Sequence, residues 1–333
     1  MPQFWRDLVD SLVRPPVARY TEEHLEDRVL NSKKLVYVRE DFKLFCEENN
    51  SLLPVSRWVP VDNHFSNDKD ATKIPVVLIC HGNASCRLEA LGSIDLYMSL
   101  GFCIYGFDFN GCGQSRRAPT LEEQNCVTLG ATEIHDIATV VKHIRSDTRL
   151  GSVVLHARSM GSVAALRYCL LLDSNIACMI CDSPFARLDR LCIDIVKNSV
   201  PKCPTVLIRS ILRLLNRSIR KRTDNTMNIY DLDQESILPT LSVPVLFIHA
   251  QHDSLIPHQH CVDLHDLVPD HLKTHCKMIS LPVGDHNSER PPFVDIEISE
   301  FLNKHIGFDH YSDFMDITPD QKARIFEEHE RMY

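Results

Sequence analysis

Short, nearly unbroken apolar runs recur along the chain at 75–80, 102–107, 152–156, 176–181, 244–249 and 277–281. Runs of this length, apolar at successive positions, suit strands buried on both faces of a parallel sheet. Between them, apolar residues fall at helical spacing over 87–100, 131–145, 160–172, 258–267 and 292–305. Strand and helix therefore alternate, and right-handed crossovers put helices on both faces of a doubly wound sheet. Ahead of this rhythm, 34–45 and 52–61 are β-rich and flank Glu47-Glu48-Asn49-Asn50-Ser51, a hairpin signal.

Three segments lie outside the alternation. Phe4, Trp5, Leu8, Val9, Leu12 and Val13 share one helical face before Pro15-Pro16 ends the helix. This predicts an amphipathic arm over 1–33 packed on a main domain over 34–308. Residues 186–240 hold more helix than one crossover needs and read as a lid inserted over the sheet. Residues 309–333 form a tail in which Thr318-Pro319-Asp320-Gln321 opens a short helix.

At 333 residues and 44% apolar composition the chain can bury a full-sized core. Its formal net charge of -9 argues against nucleic-acid binding, which needs clustered cations. Thirteen cysteines are scattered, several inside strand runs, where they act as small hydrophobes of a reducing compartment. The pair Cys178 and Cys181 would point to opposite faces of its strand, unlike a redox or zinc pair. The N-terminus lacks a signal-peptide pattern, Pro2 excludes N-myristoylation, and no run approaches the ~20 apolar residues of a membrane span. A cytoplasmic protein is expected.

Four strand ends carry the chemistry. At 152–161 a strand runs into Ala157-Arg158-Ser159-Met160-Gly161 and directly into a helix. A hydroxyl presented on so sharp a turn needs small neighbours two residues before and after it, here Ala157 and Gly161. The helix aims its N-terminal amides at the same point, which favours developing negative charge. At 80–85 a strand ends in His81-Gly82-Asn83, whose loop can turn an amide toward an oxyanion. Asn83 and Met160 are the expected donors, and His81 is expected to pack beneath the loop. Asp253 follows the strand at 244–249, and His286 lies on a Gly-containing loop after the strand at 277–281. The order serine, acid, histidine belongs to α/β sheets with such a nucleophile turn. Ser159 thus reads as nucleophile, His286 as general base, and Asp253 as the group orienting that base.

Several motifs resemble the serine-aminopeptidase-like and prolyl-oligopeptidase-like branch of the α/β-hydrolase superfamily, nearest to uncharacterised protist and plant serine hydrolases. They are His81-Gly82-Asn83, Phe107 through Ser115, Arg158-Ser159-Met160-Gly161, Asp182-Ser183-Pro184-Phe185 and Asp285 through Pro291. Arg14-Pro15-Pro16 extends the likeness over nearly the whole chain. Ala157 departs from the usual Gly-x-Ser-x-Gly. The resemblance implies an α/β-hydrolase fold with a mostly parallel eight-stranded sheet, an Asp108 loop that shapes the site without reacting, and no cofactor.

The expected function is hydrolysis of an ester, thioester or amide acyl bond through an acyl-serine. Small esters and lipid-like acyl groups are favoured, because nothing resembles an added propeller that would restrict access to short peptides. A serine peptidase is the alternative within the class, and a catalytically silent interaction module the alternative outside it. No metal is expected, since His258, Cys261 and His265 share a helical face without a fourth ligand at matching spacing. Residues 187–222 hold ten Lys or Arg against two Asp, so this segment could meet an anionic membrane through a basic face. The simpler reading is a lid helix with solvated charges.

Overall fold

The computed structural model describes residues 3–25, 28–30, 36–60, 73–117 and 126–307. The hairpin forms from β2 (Val36–Cys46) and β3 (Ser51–Pro60), with Asn50 supplying the positive φ of its turn. The parallel strands are β4 (Ile74–Cys80), β5 (Cys103–Phe107), β7 (Leu150–Arg158), β8 (Cys178–Asp182), β9 (Val245–Ala250) and β10 (Lys277–Leu281). Two short strands, β1 (Arg28–Leu30) and β6 (Arg116–Arg117), join the edge pairs and were not legible as apolar runs. The sheet order is β1-β2-β3-β5-β4-β7-β8-β9-β10, with β6 on β3. Pairing is antiparallel from β1 to β5 and parallel from β5 to β10. The eight long strands have the mostly parallel arrangement expected.

β4 shows why its run is continuous. Val76, Leu78 and Cys80 belong to one core with residues of α3 (Glu133–Ser146) and α4 (Met160–Leu171). Val77 and Ile79 belong to a second core with α2 (Ile94–Ser99) and α8 (Phe293–Ile306). Both faces are dry, so polar alternation has no place. Each fully buried aliphatic side chain contributes about 1.5–3 kcal/mol. The pattern at 87–100 divides into a 3-10 turn over Arg87–Ser93 and then α2, with the Asp108 carboxylate accepting the Arg87 amide at 2.8 Å.

Between β8 and β9 lie α5 (Leu188–Ser199) and α6 (Thr205–Arg222), packed with α1 (Gln3–Val13) around a third, smaller core. Of the apolar face predicted on α1, only Val9 and Val13 are buried, while Phe4 is 77% exposed. α7 (Gln259–Asp266) follows β9. All thirteen cysteines are free thiols, and burial pushes those of Cys178 and Cys181 up. Among the described residues no helix is long and apolar enough to cross a membrane. The helix expected at Thr318-Pro319-Asp320-Gln321 lies outside the described residues.

Candidate active site

Ser159 stands between β7 and α4 with φ 50° and ψ −117°, a backbone conformation that costs a non-glycine residue about 1–3 kcal/mol. Its neighbours hold it there. The Ser159 amide donates to the Asp182 carbonyl at 2.8 Å, and the Ser162 hydroxyl reaches both the Ala157 and Asp182 carbonyls. Gly161 is required by space: a Cβ there would lie 2.1 Å from the Cys80 carbonyl oxygen. Ala157 sits within β7 and outside the positive-φ residues, which is why alanine serves where glycine is usual.

His286 reaches this hydroxyl from the loop after β10. Its Nε2 lies 3.1 Å from Ser159 Oγ, and its Nδ1 lies 2.7 Å from Asp253 Oδ2. Asp253 is buried on the loop after β9 and accepts the Leu255 and Ile256 amides at 2.9 and 2.7 Å on its other oxygen. Burial alone would raise its pKa. Hydrogen bonds from His249, His286 and the Ile256 amide outweigh that and hold the carboxyl well below the usual range. An ionised carboxylate can only accept, so the His286 Nδ1 carries the proton. With the proton on Nδ1, Nε2 is the ring nitrogen that can accept from the serine hydroxyl.

The loops that carry the acid and the histidine are tied together. Asp285 accepts the amide and hydroxyl of Ser254 at 2.7 and 2.9 Å and the His286 amide at 2.7 Å. Arg158 donates to the His286 carbonyl at 2.9 Å. Arg290 makes two 2.7 Å bonds to the buried Asp182 carboxylate and further bonds to the Asp285 and Ser288 carbonyls. One ion pair thereby joins the strand end beneath Ser159 to the turn that presents His286.

Two residues absent from the sequence argument belong to this site. The buried His249 places Nε2 3.2 Å from Asp253 Oδ2 and 2.9 Å from the Ile256 carbonyl, so it is a second donor toward the acid. It precedes Asp253 by four residues across a strand end, where no periodicity marks it. Glu89 accepts the Gly82 amide at 3.3 Å. A Cβ on Gly82 would sit 3.6 Å from that carboxylate and 3.7 Å from Ser159 Cβ, so Glu89 borders Ser159.

Asn83 lies exposed in the turn after β4, and Met160 opens α4 directly after the serine. His81 lies under that turn. Its Nε2 accepts the Phe109 amide at 3.1 Å and its Nδ1 donates to the Gly82 carbonyl at 2.7 Å, so both ring nitrogens are committed to backbone. Asp108 accepts from Tyr20, Arg87 and Gln114, and it fills the space a side chain at Gly113 would need. The remaining histidines disperse: His258 bonds Ser280, and His260 faces Asp194 and the Ala186 amide. No group of three or more metal-ligating side chains occurs among the described residues.

A sequence profile described as alpha/beta hydrolase fold matches residues 75–201. An uncharacterised protein of Bacillus subtilis, YqkD, is 29% identical over 185 residues. That match spans 54% of this chain and 56% of the Bacillus protein, little more than half of either. Among solved structures, the esterase Pf2001 of Pyrococcus furiosus superposes with a TM-score of 0.61 at 19% identity, covering 89% of this chain and 99% of that one. A putative dipeptidyl aminopeptidase IV of Bacteroides ovatus gives 0.59 at 16% identity over 81% of this chain and 36% of its own. Est1E of Butyrivibrio proteoclasticus gives 0.56 at 15% identity over 80% and 98%.

Proposed function

An α/β-hydrolase by fold, this chain is, we propose, a serine hydrolase that cleaves an ester, thioester or amide acyl bond through an acyl-Ser159 intermediate. The observation that carries the reading is the continuous relay from Ser159 Oγ to His286 Nε2 at 3.1 Å and from His286 Nδ1 to Asp253 at 2.7 Å. Ser159 attacks the carbonyl carbon while His286 takes its proton. The oxyanion forms at the Asn83 and Met160 amides, and the leaving group departs with the proton from His286. Water then attacks the acyl-serine by the same steps and releases the acid. Asp253, kept ionised by its donors, stabilises the imidazolium formed in each half.

Small esters and lipid-like acyl groups are the favoured substrates, a preference supported by the similarity to the Pyrococcus furiosus esterase Pf2001. A peptidase acting on substrates with a free amine is the second reading. The Glu89 carboxylate beside Gly82 and Ser159 favours it, because an ammonium group bound near the acyl carbon would find its countercharge there. A reducing, cytoplasmic setting belongs to the proposal and is supported by thirteen unpaired thiols.

Labelling with a fluorophosphonate probe tests the mechanism. Wild type is expected to label covalently and Ser159→Ala not at all, with hydrolysis reduced by about a thousandfold or more. Folded wild type that does not label would make the chain a silent binding module. A panel of short esters, long-chain acyl esters, thioesters and aminoacyl amides separates the two substrate readings. A Glu89→Gln change that affects aminoacyl amides alone would favour the second.

A further inference from the structure

α6 carries six cations and no acid in 18 residues, within a chain of net charge -9. Its circumference divides three ways. Ile208, Leu212, Leu215 and Ile219 are buried against the body of the protein. Leu207, Ile211 and Leu214, at spacings of four and three, form a second apolar row that is about half exposed. Arg209, Arg213 and Arg217 occupy the remaining flank, exposed, and make no ion pair among the described residues. A helix that only covered a core would need the first row and a polar remainder. The second row is surplus to that.

The neighbouring helix extends the same surface. Trp5 of α1 donates to Ser218 at 2.9 Å and Asp10 pairs with Arg222 at 2.7 Å, so α1 and α6 are fixed to each other. Phe4 at 77% and Val206 at 75% exposure are the most exposed large apolar side chains of the pair. Between the two helices an open groove is lined by Arg6, Lys221 and the Asp10–Arg222 pair, with Gln3, Val9 and Ser218.

We propose that the α1–α6 face docks on an anionic lipid bilayer, with the Leu207–Ile211–Leu214 row and Phe4 in the acyl boundary and the arginines among the headgroups. Charge decides between occupants. A second copy would bring its own α6 cations against these, and nucleic acid would leave the apolar row unmatched. An interfacial helix requires both an apolar strip and a cationic flank. The inserted core that α6 belongs to also contains Val163, one turn after Ser159, and Ile256, whose amide donates to Asp253. The docking face thus shares one hydrophobic cluster with residues that adjoin the hydroxyl relay, yet docking does not depend on that relay being catalytic.

Sedimentation of the full chain with phosphatidylcholine vesicles, with and without phosphatidylserine, tests the proposal. About tenfold or greater partition into the anionic vesicles is expected, falling as salt is raised. Arg213→Glu with Arg217→Glu, and separately Leu207→Ser with Ile211→Ser, should each weaken it about tenfold while thermal unfolding stays unchanged. Failure to bind either vesicle at low salt overturns the proposal, as does equal binding to both. Retention on heparin without vesicle binding, or vesicle binding that neither pair of substitutions alters, also overturns it.

Discussion

The ends of β7, β8, β9 and β10 and the outer face of α6 treat polar groups in opposite ways. Around Ser159 the carboxylates that frame the relay are countered: Asp182 by Arg290, Asp253 by two histidines and two amides, Asp285 by Ser254 and the His286 amide. On α6 the arginines point outward beside exposed leucine and isoleucine. The first region has spent its interactions on holding three side chains in one geometry, the preorganisation that charge development at a reaction centre requires. The second keeps apolar area and charge available for something outside the molecule. Fixed geometry marks where bonds could change, and unspent surface marks where the protein meets a partner.

The largest effect should come from breaking the ion pair under the relay. Arg290→Met leaves Asp182 charged and buried, which should cost about 3–5 kcal/mol in denaturant unfolding and lower hydrolysis with it. Adding Asp182→Leu should restore most of the stability. If activity returned as well, the pair would be structural filler and not a positioning clamp.

A smaller effect separates pH from packing within the same half. Burial pushes the Asp136 carboxyl up to about 7, although it accepts the Asn110 amide and the Asn49 side chain. Between roughly pH 4 and 7 the folded chain holds a proton there that the unfolded chain has lost, so stability falls as pH rises through this window. The total is on the order of a few kcal/mol. Asp182 and Asp253 have lowered values, so their contributions are present above about pH 4 and are lost only below it. Urea midpoints at pH 5 and 7.5 should decline in wild type and decline less in Asp136→Asn. Parallel slopes would remove Asp136 as the cause.

A pair of substitutions sharpens the contrast on α6 itself. Leu212→Ala should cost about 2–5 kcal/mol, and the adjacent Ile211→Ala about 0.5 kcal/mol or less, because the first opens a cavity and the second faces outward. Comparable losses would mean that the second apolar row is part of the core.

Much of this was readable in the chain. Strands buried on both faces leave little room for polar residues, so β4, β5, β7, β8 and β9 announced themselves as runs with boundaries good to a few residues. Ser159, Asp253 and His286 stood at strand ends, where the local pattern already implies a turn. The short strands β1 and β6 were missed because three and two residues carry no period. His249 and Glu89 were missed for another reason: each acts on a backbone or carboxylate that comes near only after the sheet has formed.

Local order is encoded in neighbours along the chain, and so apolar periodicity, the tight Ala157–Gly161 turn and the charge bias of 187–222 were all present before folding. Distances between strangers in sequence are not. That Arg290 would close on Asp182 across 108 positions, or that Leu207 would face outward while Leu212 faces in, depended on how the crossovers wound and which helix settled against which. Hydrophobic pattern selects a layer, and only packing between layers selects the partner.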